Sequence, residues 1–173
     1  MLAAGLLVAL LPGLTSEASA QLRLAVEAFG GGALNVPTTL RIRQNGEQDI
    51  EISARYDTRA FEQPYYWSFR LALLDERRAF ELQLTHHKLY LSNPPPVVQS
   101  FEITHGFNML TLGYAHRTFP VELRAGVGLV LAKPEGTVRG RRYAIVEEGL
   151  GAYRLSGPVL LAGLGKRFRI LPR

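Results

Sequence analysis

No cysteine occurs anywhere in the chain, which excludes disulfides, thiolate metal sites and cysteine nucleophiles. Long hydrophobic runs are missing too: no internal window approaches the roughly 20 consecutive apolar residues that a membrane-crossing helix needs. No apolar stripe at i, i+3, i+4 outcompetes a period of two, so amphipathic helices are not expected. Lysine is scarce beside arginine. What remains is a chain of 173 residues, one domain by length, with 47% hydrophobic and 20% charged residues and a formal net charge of +5. The positive excess suits nucleic acid or a partner rich in phosphate and carboxylate, and charge alone does not choose.

Residues 1–20 read as a secretory signal peptide. An apolar stretch at 2–11 is broken by Pro12-Gly13, and Ala18-Ser19-Ala20 supplies a small-residue cleavage pattern before Gln21. From residue 21 onward the pattern is strand after strand. Leu22, Leu24, Val26 and Ala28 alternate with Arg23, Ala25, Glu27 and Phe29. Segments 38–44 and 47–55 flank Asn45-Gly46, a strong hairpin signal. Their charges, among them Arg41, Arg43, Asp49 and Glu51, predict a hairpin polar on both faces that projects into water. Trp67, Phe69, Leu71 and Leu73 oppose Ser68, Arg70 and Ala72, and Phe80, Leu82 and Leu84 oppose Glu81, Gln83 and Thr85. Segments 104–117, 121–131 and 152–170 complete six spanning strands.

The connections alternate: long at 30–64, short at 75–78, long at 92–104, short at 118–120 and long at 132–151. Short turns on one side and long loops on the other, with one apolar and one wet face per strand, predict an all-β, antiparallel up-and-down outer-membrane β-barrel. Tyr65, Trp67 and Tyr90 fit an aromatic belt. Glu27, Arg70, Glu81, Glu122 and Arg124 are too many charges for the core of a secreted soluble sandwich, the competing architecture. Such barrels have an even number of strands from about eight upward. Six strands therefore predict an eight-stranded type in which residues 21–173 lack the C-terminal hairpin.

Polar side chains gather where the strand at 79–91 meets its loop and where the next strand begins: His86, His87, Lys88 and His105. Imidazole and carboxylate suit a divalent, iron-like ion in a two-histidine, one-carboxylate arrangement. Neighbours on a strand point to opposite faces, so His86 and His87 share an ion only across a bulge. The alternation puts His87 inward, making His87, His105 and Glu81 the catalytic and metal-ligand set, with His86 at the lipid headgroup level. Lys88, Tyr90 and Asn108 are the substrate-binding candidates. Lys88 at the loop edge and Arg117 near a short turn both invite an anionic partner, while His116 lies at the opposite strand end and is given no chemistry.

Four stretches carry a resemblance. They are residues 56–66, reading Tyr-Asp-Thr-Arg-Ala-Phe-Glu-Gln-Pro-Tyr-Tyr; 81–90, containing Thr-His-His-Lys-Leu-Tyr; 104–112, containing His-Gly-Phe-Asn-Met-Leu-Thr-Leu; and 155–158, Leu-Ser-Gly-Pro. Together they resemble proteobacterial outer-membrane barrels of the lipid A oxidase-like family. The resemblance implies a monomer in the outer membrane of a Gram-negative bacterium, with lipid A or lipopolysaccharide as partner and no nucleic acid. It further implies oxidation of the proximal glucosamine of lipid A to an aminogluconate, using oxygen and a divalent metal ion, and its motif points to His86 as a ligand. The alternative is a non-catalytic barrel that binds or packs against lipopolysaccharide.

Overall fold

The computed structural model describes residues 22–118, 120–144 and 149–166. The expected signal peptide and the end of the strand foreseen at 152–170 lie outside these residues. The described chain is all-β: β1 (Arg23–Gly30), β2 (Thr38–Ile42), β3 (Ile50–Ala54), β4 (Tyr56–Asp57), β5 (Trp67–Leu74), β6 (Arg78–Leu91), β7 (Val98–Thr118), β8 (Val121–Ala132), β9 (Glu135–Val138), β10 (Arg141–Tyr143) and β11 (Arg154–Gly165), with a 3-10 turn at Gly149–Ala152. The six segments with period-two alternation form one antiparallel sheet in the order β1-β5-β6-β7-β8-β11. Among the described residues no closed barrel is found: β1 and β11 form the two edges of this sheet and do not pair with each other.

Each strand has an inner and an outer face, and the chemistry of the two is inverted relative to a water-soluble sheet. The outer face carries Phe69, Leu71, Phe80, Leu82, Leu112, Val127 and Leu160, with exposures from 42% at Leu82 to 83% at Leu160. The inner face holds the charges. Arg70 donates to Glu27 at 2.9 Å and lies 3.4 Å from Glu81. Arg124 donates to both oxygens of Glu81, at 3.2 and 3.1 Å, and to Glu122, which also accepts from Arg117 at 2.8 Å. The Glu81 and Glu122 side chains are only 4% exposed. The Arg124–Glu81 bond passes from β8 to β6 over β7, where the register brings Gly113 and Ala115 beneath it. Small residues there leave the guanidinium its path. Further along, a Cβ on Gly128 would stand 2.0 Å from the Leu110 carbonyl oxygen, so this glycine sets how closely β7 and β8 approach.

The two ends differ as the connection lengths require. At the short-turn end, Ala72, Leu74, Ala79 and Ala115 form a small apolar cluster. At the loop end, β6 and β7 run on past a register shift between His87 and Leu89, so the loop expected at 92–104 shrinks to 92–97. β4 adds to β6, and β9 adds to β7 and turns into β10 through Arg139-Gly140. Both turn residues have positive φ, 51° and 73°, the geometry of a two-residue hairpin matched to strand twist.

The β2–β3 hairpin corrects the sequence expectation. Its turn does centre on Asn45-Gly46, with Glu47 N donating to Gln44 O at 3.1 Å. Instead of projecting into water, it packs Ile42, Ile50 and Ile52 onto Val98, Val138 and Phe101. Arg139 secures the contact by donating to Gln44 Oε1 and Gln48 O. The charged pairs occupy one face of the hairpin and the isoleucines the other.

Asp75 organises the tight turn between β5 and β6. Its Oδ1 accepts from the backbone N–H of Arg77 and of Arg78, each at 2.7 Å, which holds the carboxyl below its ordinary value of 3.8. These bonds favour the charged form in the fold. Their stabilisation is therefore complete above the unfolded carboxylate's pKa and is lost as pH falls through the lowered folded value. In denaturant titrations Asp75→Ala is expected to lie below the parent at neutral pH and to converge with it in strong acid. A gap of constant size across that range contradicts the assignment.

Candidate functional site

His86 and His87 stand at the loop end of β6, just before its register shift. Period-two geometry sends them to opposite faces, as the sequence predicts. On the outer side the register aligns Trp67, His86 and Asn108 across β5, β6 and β7. The His86 ring stacks on the Trp67 indole, centroids 5.3 Å apart and planes 12° from parallel. Its Nδ1 is 2.9 Å from Asn108 Oδ1. The other ring nitrogen, Nε2, takes no part in that contact. That nitrogen is buried without a hydrogen-bond partner.

His87 is the inner counterpart. Its Nε2 lies 2.9 Å from Asn35 Oδ1, while the Asn35 amide nitrogen donates to Tyr56 O and Thr58 Oγ1. Those two bonds fix which end of the amide faces the ring, so His87 donates from Nε2 and its buried Nδ1 is bare. Tyr66 and Phe107 meet the ring edge-on at 5.7 and 5.8 Å. Burial pushes the Tyr66 and Tyr56 phenols above their ordinary values, so both stay protonated at neutral pH. Asn35, Thr58 and Tyr66 are contributors the sequence reading did not single out. They come from the long connection at 31–66, and only the fold brings them to β6.

Lys88 corrects an expectation. Instead of standing at the edge for an anion, it is fully buried, and its Nζ donates at 2.7 Å to the carbonyls of both Arg59 and Glu62. The Arg59 guanidinium lies 4.3 Å above the Tyr90 ring, and the Lys88 ammonium 5.6 Å from it. Lys88 and Tyr90 thus hold the 59–62 turn in place. Asn108, the third substrate-binding candidate, orients His86.

The proposed inner ligand set is not assembled. Glu81 lies six positions along β6 from His87, about 20 Å at ~3.3 Å per residue. It is occupied there by Arg70 and Arg124. His105 is largely exposed, its Nδ1 3.6 Å from Glu135 and 3.1 Å from Thr104 Oγ1. Among the described residues no three of His, Asp and Glu come close enough together to hold an ion. As arranged, His86, His87, His105 and Glu81 do not fit a single metal centre. The arrangement instead offers two imidazoles, each within hydrogen-bond distance of an asparagine, and no carboxylate shared between them.

Gly106 supports the outer half. It has φ +151°, and a Cβ there would stand 2.4 Å from Asn108 Nδ2 and 2.5 Å from Tyr153 Cε1. Tyr153 closes over this point by donating its hydroxyl to His105 O at 2.8 Å. Comparison with known proteins adds no assignment: no family model, curated protein or solved structure matches the chain.

Gly106→Ala is expected to push Asn108 off His86 and to cost about 1–3 kcal/mol in denaturant unfolding, the usual range for overpacking. Because Trp67 is the chain's one tryptophan, its emission reports the stack directly, and Asn108→Ala should shift it in the same direction. Emission identical to the parent in both variants would show that Asn108 does not position His86.

Proposed function

We propose that the chain forms the wall of an outer-membrane β-barrel whose outer face meets acyl chains and whose loop-bearing end contacts lipopolysaccharide. The observation that carries this reading is the inversion of the sheet. In water, an apolar side chain left exposed forgoes about 1.5–3 kcal/mol of burial. Soluble monomers rarely expose apolar patches beyond a few hundred Å². Here exposed apolar residues recur on every main strand while Arg70, Glu81 and Glu122 are buried. A bilayer reverses both accounts: hydrocarbon accepts the outer residues, and the paired charges stay in a polar interior. No helix among the described residues is long and apolar enough to cross a membrane, so strands would carry the crossing. The reading also requires strand partners for β1 and β11 in the bilayer, because hydrocarbon does not tolerate unpaired backbone groups. Around the loop end, Trp67 and His86 mark the boundary between the apolar band and the polar residues above it.

Oxidation of the lipid A sugar is the second reading. Two buried imidazole nitrogens without hydrogen-bond partners at that end favour it, and the dispersal of Glu81 and His105 weighs against a shared metal centre. Cells expressing the full chain should retain it in the outer-membrane fraction through urea and carbonate washes and release it with detergent. A product recovered as soluble protein without detergent contradicts the barrel reading. Mass spectrometry of lipid A from the same cells, against cells lacking the gene, decides the second reading: an added oxygen supports the oxidase, and an unchanged lipid A leaves the non-catalytic barrel.

A further inference from the structure

On the outer face of the short-turn end, the apolar band stops within one step of the β6–β7 ladder. Phe80 stands opposite Tyr114, their ring centroids 5.5 Å apart, and Leu73 of β5 lies beside Phe80. These three side chains are 40–65% exposed. At the next outward-facing step toward the turns, Arg78 stands opposite His116, with Leu123 of β8 beside it. Residues directly opposite on an antiparallel ladder share a face, so the guanidinium and the imidazole leave the same surface as the rings. Both are exposed, and neither side chain makes a hydrogen bond or ion pair among the described residues. The nearby carboxylates are otherwise engaged or displaced. Arg78 acts electrostatically on Asp75, whose Oδ1 accepts from the Arg77 and Arg78 backbone. Glu76 lines the hollow between the two turns, which His116 also borders.

We propose that Arg78 and His116 hold the phosphate of an anionic glycerophospholipid, whose acyl chains run along the outer face over Phe80 and Tyr114 toward Leu82 and Leu112. The inference rests on the membrane reading and goes beyond it, by assigning a lipid class to the end away from the histidine pair. Guanidinium presents a fork of donors to a phosphate, and either tautomer of the imidazole adds one N–H. Charge-assisted bonds made at the edge of hydrocarbon are stronger than the same bonds in open water. A phosphocholine headgroup brings its own cation to the phosphate, whereas phosphatidylglycerol leaves the charge to be met by the protein.

The test reconstitutes the full chain into phosphatidylcholine vesicles with a trace of spin-labelled lipid, either phosphatidylglycerol or phosphatidylcholine. The motionally restricted fraction of each label gives its relative affinity for the protein surface. Phosphatidylglycerol is expected to be preferred about fivefold, the worth of one cation beside an anionic headgroup. Arg78→Gln should bring the ratio close to one, and Arg78→Lys should keep most of it. His116→Leu removes a donor and should lower the ratio about twofold. Arg142→Gln, on β10 at the loop end, removes the same charge as Arg78→Gln and should leave the ratio unchanged. The three substituted positions are exposed, so the variants should fold. Retention in the vesicles through a carbonate wash is read first on the same samples. A chain that washes off contradicts the membrane reading, and this site with it. The site alone is overturned by a retained chain that shows no preference for phosphatidylglycerol, keeps its preference in Arg78→Gln, or loses as much in Arg142→Gln.

Discussion

The contact on which the rest of the structure depends is the reach of Arg124 across β7 to Glu81. A bond between strands that are not neighbours draws the sheet toward the side on which it forms, and so defines an inner face. Glu81 is then shared between Arg70 and Arg124, and Glu122 between Arg124 and Arg117, with Glu27 completing the series at β1. Each buried carboxylate is held by two guanidiniums. Removing one member of such a buried set typically costs about 3–5 kcal/mol, because the partner is left charged and unpaired. With the charges turned inward, the alternation of the strands leaves the leucines, valines and phenylalanines no place but outside.

The same backbone rule shapes the loop end. The register shift after His87 lets β6 and β7 continue as a ribbon onto which β4 and β9 add, and the β2–β3 hairpin closes over its inner side. The connection at 31–66 is tied down by two buried side chains of β6: His87 through Asn35, and Lys88 through the Arg59 and Glu62 carbonyls. Lys88 is thus a structural clamp, and its ammonium replaces hydrogen bonds that two turn carbonyls would otherwise seek in water. His86 faces the other way, between Trp67 and Asn108, at the height where the apolar band ends.

Period-two alternation made the six main strands legible, and with them the inward placement of Glu81 and the opposite facing of His86 and His87. Three things were not legible, for one physical reason: each depends on contacts between residues far apart in sequence. Pro94-Pro95-Pro96 reads as a long loop, yet Leu89, Phe101 and Ile103 go on alternating around it and pack with Ala132. The β2–β3 hairpin looked polar because Arg41, Glu51, Arg43 and Asp49 pair across it, Arg41 with Glu51 and Arg43 with Asp49, while its isoleucines form the contact face. A ligand set of His87, His105 and Glu81 respected the face each residue takes but not its height along the strand. Glu81 belongs to the ion-pair series and His105 to Glu135.

Because the chain contains no cysteine, single cysteines can be introduced one at a time, spin-labelled and read in bilayers along β7 and β8. Accessibility to membrane-dissolved oxygen is predicted to rise and fall with a period of two, high at Leu110, Leu112, Val127 and Leu129. It should be low at Thr111, Ala115, Val130 and Ala132, which are buried and already carry a Cβ, with the opposite order for a water-soluble relaxant at the outer positions. Equal exposure of Leu112 and Val127 to the water-soluble relaxant, with no alternation, would contradict the inversion of the sheet.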